Sequence, residues 1–393
     1  MAIWSDPRVH GVAASMTATV VANLPVFLVG AMAVQLQADL GFDDGQLGLA
    51  IGGYYAAGAV VAPRTGPGVA RFGARRSLQV SATASAITLA LCALVARSYP
   101  VLLTLLVVGG VANSLAQPAS NVYLARIVPH HRLGLALGVQ KSAIPAAAML
   151  GGVAVPLGLL LTWQGVFVAA AAVGVVVARM LPQHEASVAD ERRDDTGPRP
   201  DVPTRFLVML AIGVGLGSSA SNALASFTVR SGVELELDQS FAAVLLIVGS
   251  VGGLTVRMAA GAHADRHPGR SLSTMASLFT GAAFCYVLLA LQQQWLYVIA
   301  VPLAFVTGFA WPGLFHLVIV RSNPSAPGAA TGLAMTGGLV GAVVGPVGFG
   351  AIAEAWSLGA AWAAAAALMA AAALISLSLR PHVIERPPLP SPA

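Results

Sequence analysis

Lys141 is the single lysine of the chain and stands in LALGVQKSAIPAAAMLGG, residues 135–152, among small, apolar or uncharged neighbours. The nearest acidic residues in sequence are Asp44 on one side and Glu185 on the other. An ammonium in such a setting can pair with a carboxylate or similar anionic group in a low-dielectric cavity. Upstream, Asn113, Gln117 and Asn121 are spaced by four, which places three amides on one slowly drifting helical face. Pro118 lies among them and frees backbone carbonyls. Such amides either line a ligand cavity or hold helices together across a bilayer. Gln140 adjoins Lys141 and on a helix points about 100° away from it, so it is the weaker candidate.

Charge must be scarce around these residues for the lysine to matter, and it is. The 393 residues are 57% hydrophobic and 9% charged, against about 25% charged in soluble domains. Mean hydropathy is +0.79. Charge-poor runs of about 20 residues recur along the whole length, the signature of a polytopic helical membrane protein. The pI near 9.7 suggests nucleic acid, but the arginines occupy short breaks between apolar runs and report topology instead. Cys92 and Cys285 each stand alone inside an apolar run, so the spacing gives neither a disulfide framework nor a metal site. The first eleven residues, MAIWSDPRVHG, lack a positive n-region and a cleavage site, which predicts that the first apolar run is retained as a span.

Twelve spans are expected, near 12–34, 46–64, 77–96, 101–125, 133–161, 164–181, 205–228, 240–260, 272–291, 295–319, 329–352 and 357–379. The one long polar stretch, LPQHEASVADERRDDTGPRPDVPTR, separates the sixth from the seventh and is expected to be a flexible cytoplasmic linker. This gives an N-terminal six-helix bundle over 1–181, a linker over 182–204, and a C-terminal six-helix bundle with a short tail over 205–393. With both termini cytoplasmic, 18 of the 21 basic residues fall inside and only Arg97 and Arg230 outside, as the positive-inside rule requires of a multi-pass protein of the cell inner (plasma) membrane. The outward loops carry Asp39, Asp43, Asp44, Glu234, Glu236, Asp238 and Glu354.

The halves resemble each other. GPGVARFGARR from Gly66 aligns with GAHADRHPGRS from Gly261, AQPASN from Ala116 with AWPGLF from Ala310, and LGLAL from Leu133 with TGLAM from Thr331. Two parallel six-helix repeats with substrate held between them near the midplane are one plan for transporters. On these markers the chain resembles the major facilitator superfamily of secondary transporters over essentially its whole length. The family's loop motif, G-x-x-x-D-R-x-G-R-R, is closely matched by Gly261, Asp265, Arg266, Gly269 and Arg270, with one residue inserted. The first copy keeps Gly66, Arg71, Gly73 and Arg75 but has Ala70 in place of the aspartate. The resemblance implies a charge latch closing the cytoplasmic side, assigned here to Asp265, Arg266 and Arg257, with Gly66, Arg75 and Gly261 as the remaining motif positions. A carboxylate at a helix end beside arginines makes charge-assisted bonds that one conformation forms and another breaks. The competing account is that the motif only fixes loop structure. TGGLVGAVVGPVGFG, in the eleventh span, resembles a signature that drug antiporters carry in the fifth; in this half it is expected to serve packing and bending. The glycine-rich pattern of the fourth and fifth spans resembles the cyanate and nitroimidazole permease branch.

If the fifth span enters near Leu133, Lys141 lies about 12 Å into a core about 30 Å thick. An ionisable group there costs roughly 2.5–3.5 kcal/mol on insertion scales and faces a cavity or a partner; the alternative is a side chain that snorkels or packs neutral. All 16 Asp and Glu fall in loops, linker, tail or span ends, which leaves a ligand as the source of countercharge. The expected function is therefore secondary transport of a small organic anion by alternating access, the runner-up being efflux of drugs or hydrophobic metabolites. Asn23 before Pro25, Ser218, Ser219, Ser221 and Asn222 stand on helices that line the central path by resemblance. Trp311 offers an apolar wall or a cation–π contact, and His316 either an interfacial side chain or a proton carrier. Coupling is open among a protonated substrate, a titrating Lys141 or His316, and exchange. No nucleotide-binding loop, catalytic constellation, cofactor or metal site is expected, and a monomer is the family expectation.

Overall fold

The computed structural model describes residues 7–127, 139–181, 201–267, 269–323 and 327–380. Among these the regular structure is helical, and the helices follow the expected spans. Ten helices are long and apolar enough to cross a bilayer. Twelve spans are recovered once Ala143–Met180 is divided at Thr162 and Asp44–Phe72 is added. At Thr162 the backbone leaves helical geometry, with φ 63° and ψ 162°, so the fifth and sixth spans join without a loop.

The first, fourth and tenth spans are broken rather than straight. The first runs Pro7–Ala31 and continues as Ala33–Leu40. The fourth consists of Tyr99–Asn113 and Ala116–Ile127, and the tenth of Gln294–Gly308 and Pro312–Ser322. In the fourth and tenth the break lies just before the proline of the repeated AQPASN and AWPGLF markers, where an imide nitrogen cannot bond back one turn. The duplication therefore carries a kink as well as a sequence.

The chain forms two compact units, one of residues 1–189 with 225–251, the other of 190–224 with 252–393. In the first unit, the first and third spans pack against the fifth and sixth, and the second against the fourth. Ala18, Val69, Ala74, Leu78, Ala119, Tyr123 and Leu181 gather five spans into an apolar knot at the arginine-rich end. Gly73 turns the chain there with φ +84°, and Gly269, the corresponding motif glycine, does so with φ +88°; a left-handed backbone favours glycine. Gly152 brings the fifth span against the eighth, since a Cβ on it would lie 3.0 Å from the Ala243 carbonyl oxygen.

In the second unit, the ninth span packs on the tenth and twelfth, and the eleventh on the twelfth. Gly337, Gly341 and Gly345 set the eleventh span directly on Ala211, Gly215 and Ser219 of the seventh. The TGGLVGAVVGPVGFG stretch is thus a packing surface, and Pro346 lies inside one continuous helix, Pro327–Ala355. Both cysteines are free and buried. The exposed large side chains include many aliphatic ones, among them Val60, Leu94 and Leu160, and aromatic ones such as Phe284, Trp295 and Trp356, as suits a lipid-facing surface.

Candidate functional site

A chain of polar contacts in the first unit links the first, fourth and fifth spans. Along the first span, Ser15, Thr19 and Asn23 recur every four residues and form a buried stripe. Each upper member is tied to the turn before it: Thr19 Oγ1 donates to the Ser15 carbonyl at 2.9 Å, and Asn23 Nδ2 to the Thr19 carbonyl at 2.8 Å. Ser15 Oγ also meets Ser120 Oγ of the fourth span at 2.5 Å. Gln117 follows the break in that span. Its Oε1 accepts from Lys141 Nζ at 2.6 Å and faces Gln140 Nε2 at 3.5 Å, which also lies 3.4 Å from Thr19 Oγ1.

Gln140 is therefore a full member of the group, contrary to the expectation that helical winding would turn it away from Lys141. The helix is interrupted at Ser142, immediately before Ala143–Met180, and Gln117 stands where both long side chains reach it. The short ammonium–amide bond is charge-assisted; Gln117 solvates the charge and brings no countercharge. Residues 128–138 lie outside the described residues, so the expected helical entry at Leu133 does too. Counted from the other span, Gln117 is ten residues from Ile127, about 15 Å along the helix.

The amide ladder does not survive as a unit, because the break at Ser114 and Leu115 resets the helical face between Asn113 and Gln117. Asn113 Oδ1 is shielded from solvent and meets no donor among the described residues. Asn121 is exposed. Sequence reasoning missed Ser15, Thr19 and Ser120; the four-residue spacing that ends on Asn23 was the available signal.

The second unit holds its own polar group. Ser218 Oγ donates to the Gly338 carbonyl at 2.8 Å, and Asn222 Nδ2 to the Ser218 carbonyl at 2.8 Å. Ser221 Oγ bonds the Gly308 carbonyl at the break of the tenth span and lies 3.5 Å from Trp311 Nε1. The Trp311 ring packs against Phe279 and Phe315. His316 is held through Nδ1 on the Pro312 carbonyl at 2.7 Å.

The motif residues do different work. Buried Arg257 donates through Nε to the Phe309 carbonyl at 3.1 Å, supporting the break in the tenth span. Arg75 reaches the Leu181 carbonyl at 3.4 Å, tying the third span to the end of the sixth. Arg266 is exposed, and a Cβ on Gly261 would meet open space. The surroundings of Gly66 and of the Asp265 side chain lie outside the described residues.

An ion pair that the sequence did not single out joins the ends of the second and seventh spans. Arg230 Nε lies 3.0 Å from Asp44 Oδ1 and Arg230 Nη1 2.6 Å from Glu234 Oε2, while Gln37 Nε2 donates to Asp44 Oδ1 at 2.8 Å. Asp43 caps the second span through a reciprocal bond pair with Gln46. The Asp44 side chain is 9% exposed and that of Arg230 23%, so truncating either partner leaves a poorly solvated charge. Asp44→Asn and Arg230→Gln are each expected to cost about 1–2 kcal/mol, seen as a lower unfolding temperature in detergent. The double variant should be little worse than either single one; additive losses would show that the pair contributes nothing.

Residues 15–346 match the family model described as Major Facilitator Superfamily. A search of curated proteins finds no match. Among solved structures, a bacterial homologue of the human lysosomal transporter Spinster, inward-facing and occupied, is similar at TM-score 0.69 and 17% identity, covering 95% of each chain. The human organic anion transporter MFSD10 (TETRAN) is similar at TM-score 0.69 and 15% identity, covering 95% of this chain and 100% of its own. With the family match spanning most of a chain built of apolar helices, the protein belongs to the Major Facilitator Superfamily and is a multi-pass membrane transporter, not an enzyme.

Proposed function

We propose that the protein is a secondary transporter that moves a small organic anion by alternating access, using Lys141 as the anion contact. The observation that carries this is the Lys141 ammonium bonded to the neutral Gln117 amide, which Gln140 also meets, in a chain whose acidic residues all lie in loops, linker, tail or span ends. An incoming carboxylate gains a charge-assisted bond in a medium of low polarity. The resemblance to the cyanate and nitroimidazole permease branch supports small anionic cargo, and so does the similarity to a solved organic anion transporter.

The proposed arrangement has six-helix halves over 1–181 and 205–393, a cytoplasmic linker over 182–204, and both termini cytoplasmic in the inner (plasma) membrane of a monomer. Ser218, Asn222, Trp311 and His316 supply the C-terminal half of the substrate path, together with Asn23, Asn113 and Asn121 of the other half. Asp265, Arg266 and Arg257 gate the arginine-rich end with Gly66, Arg75 and Gly261. Substrate binding must break and remake contacts such as Asp44–Arg230 for the opposite end to open. Coupling to protons, through the acid itself or through Lys141 or His316, is compatible with this site.

Efflux of drugs or hydrophobic metabolites is the second reading, favoured by the Phe279–Trp311–Phe315 cluster. Purified protein in proteoliposomes, assayed with short carboxylates, sugars and cationic dyes, separates the two. Saturable carboxylate uptake is expected, with sugars and dyes excluded. Dye movement unaffected by any carboxylate would overturn the anion reading in favour of efflux.

A further inference from the structure

We infer that the joined ends of the third and sixth spans hold an anionic phospholipid, its phosphate on Arg76 and Arg179 and its acyl chains along the apolar faces that these arginines head. The site is separate from the Lys141 group and does not depend on what the protein transports.

The two spans lie side by side at the arginine-rich end. Arg75 reaches the Leu181 carbonyl at 3.4 Å, and Gln79 Nε2 donates to the Ala178 carbonyl at 3.2 Å. Further along, a Cβ on Gly174 would stand 2.9 Å from Ala86 Cβ, so the contact continues away from that end. Arg76 adjoins Arg75 and Arg179 adjoins Ala178, which sets both residues beside this seam, and both are exposed.

Each arginine heads an exposed apolar stripe. On the third span, Ala74–Val95, exposed Val80, Ile87 and Leu94 follow Arg76 at intervals of one or two turns. On the sixth, exposed Val173 and Val176 lead to Arg179 in steps of three residues. In a bilayer such faces meet acyl chains. Neither span contains Asp or Glu, and the ion pairs of the described residues lie at the opposite end of the bundle. The third span also opens at Ala74 without a side-chain cap, which adds the positive end of its dipole.

Charge decides what covers this face. A second copy of the chain would set arginines against arginines, and a zwitterionic headgroup brings its own cation to them. A phosphate without such a cation accepts from guanidinium groups in bidentate fashion. Basic residues at span ends attract anionic headgroups by about fivefold in affinity each.

Full-length protein in an uncharged detergent, titrated with phosphatidylglycerol or phosphatidylcholine, tests this by native mass spectrometry and unfolding temperature. Phosphatidylglycerol should bind about 30-fold more tightly, five times five for two arginines, and raise the unfolding temperature further. Arg76→Gln/Arg179→Gln, at two exposed positions, should bring the two lipids to within about threefold. Arg97→Gln, which removes an exposed arginine just past the other end of the third span, should keep the wild-type preference. Equal binding of both lipids by wild type would overturn the inference. So would a preference that persists in the folded double variant, or one that Arg97→Gln abolishes as well. Glycerol 3-phosphate binding as tightly as phosphatidylglycerol would overturn the assignment to a lipid.

Discussion

Gly110→Val is expected to yield little or no folded protein. A Cβ on Gly110 would stand 1.9 Å from the Tyr54 carbonyl oxygen and 2.7 Å from its carbonyl carbon. Those are backbone atoms, so no side chain can swing aside, and the second and fourth spans must part. Tyr54 is fully buried and its hydroxyl donates to the Ala22 carbonyl at 2.5 Å, so parting those spans also strips the first. Overpacking of ordinary core sites costs about 1–3 kcal/mol; a clash between backbones, with a tertiary hydrogen bond lost as well, should reach about 4 kcal/mol or more. Gly348→Ala, where a Cβ meets nothing within 4 Å, should behave as wild type, within about 0.5 kcal/mol. Size-exclusion profiles and unfolding temperatures in detergent provide the check. A monodisperse Gly110→Val protein with the wild-type unfolding temperature would refute the packing described for these spans.

The fold was legible because a bilayer leaves few choices. Backbone groups must be satisfied inside each crossing, so apolar runs of sufficient length become helices, and the expected spans match the observed helices with shifts of a few residues at most ends. The break at Ser114–Leu115 was half legible: Pro118 marked freed carbonyls, but the consequence for the amide face was not drawn, and the break at Phe309–Trp311 was not foreseen. Periodicity assumes an unbroken helix, so Asn113, Gln117 and Asn121 looked like one ladder, whereas Gln117 alone of the three meets Lys141, with Gln140 beside it. Gln140 illustrates the same limit, since neighbouring residues diverge only while regular winding continues past them. Thr19 and Ser15 went unseen because hydroxyl residues in an apolar run mostly bond their own preceding turn, as Thr19 does; that it also accepts from Gln140 is a tertiary fact. Asp44 and Arg230 were both placed at the same side of the bilayer by topology alone. Their pairing depends on how helix ends 186 residues apart approach, which one sequence does not encode locally.

The charge on Lys141 is the centre of the functional account, and its removal should have the largest effect on transport. Lys141→Ala deletes both the ammonium and its bond to Gln117 Oε1. Truncating one partner of a desolvated charge pair costs about 2–5 kcal/mol, which corresponds to a fall of roughly 30- to several thousand-fold in kcat/KM at 1.4 kcal/mol per decade. Lys141→Arg keeps the charge on a longer, planar group and should retain measurable uptake at reduced efficiency. Folding should be little changed in either variant, because the lysine is not part of the apolar knot at the arginine-rich end.

The decisive measurement is carboxylate uptake by wild type, Lys141→Ala and Lys141→Arg in proteoliposomes, with unfolding temperatures recorded alongside. The account predicts saturable uptake by wild type, a loss of at least about 30-fold in Lys141→Ala and partial retention in Lys141→Arg. Uptake by folded Lys141→Ala equal to wild type would contradict it.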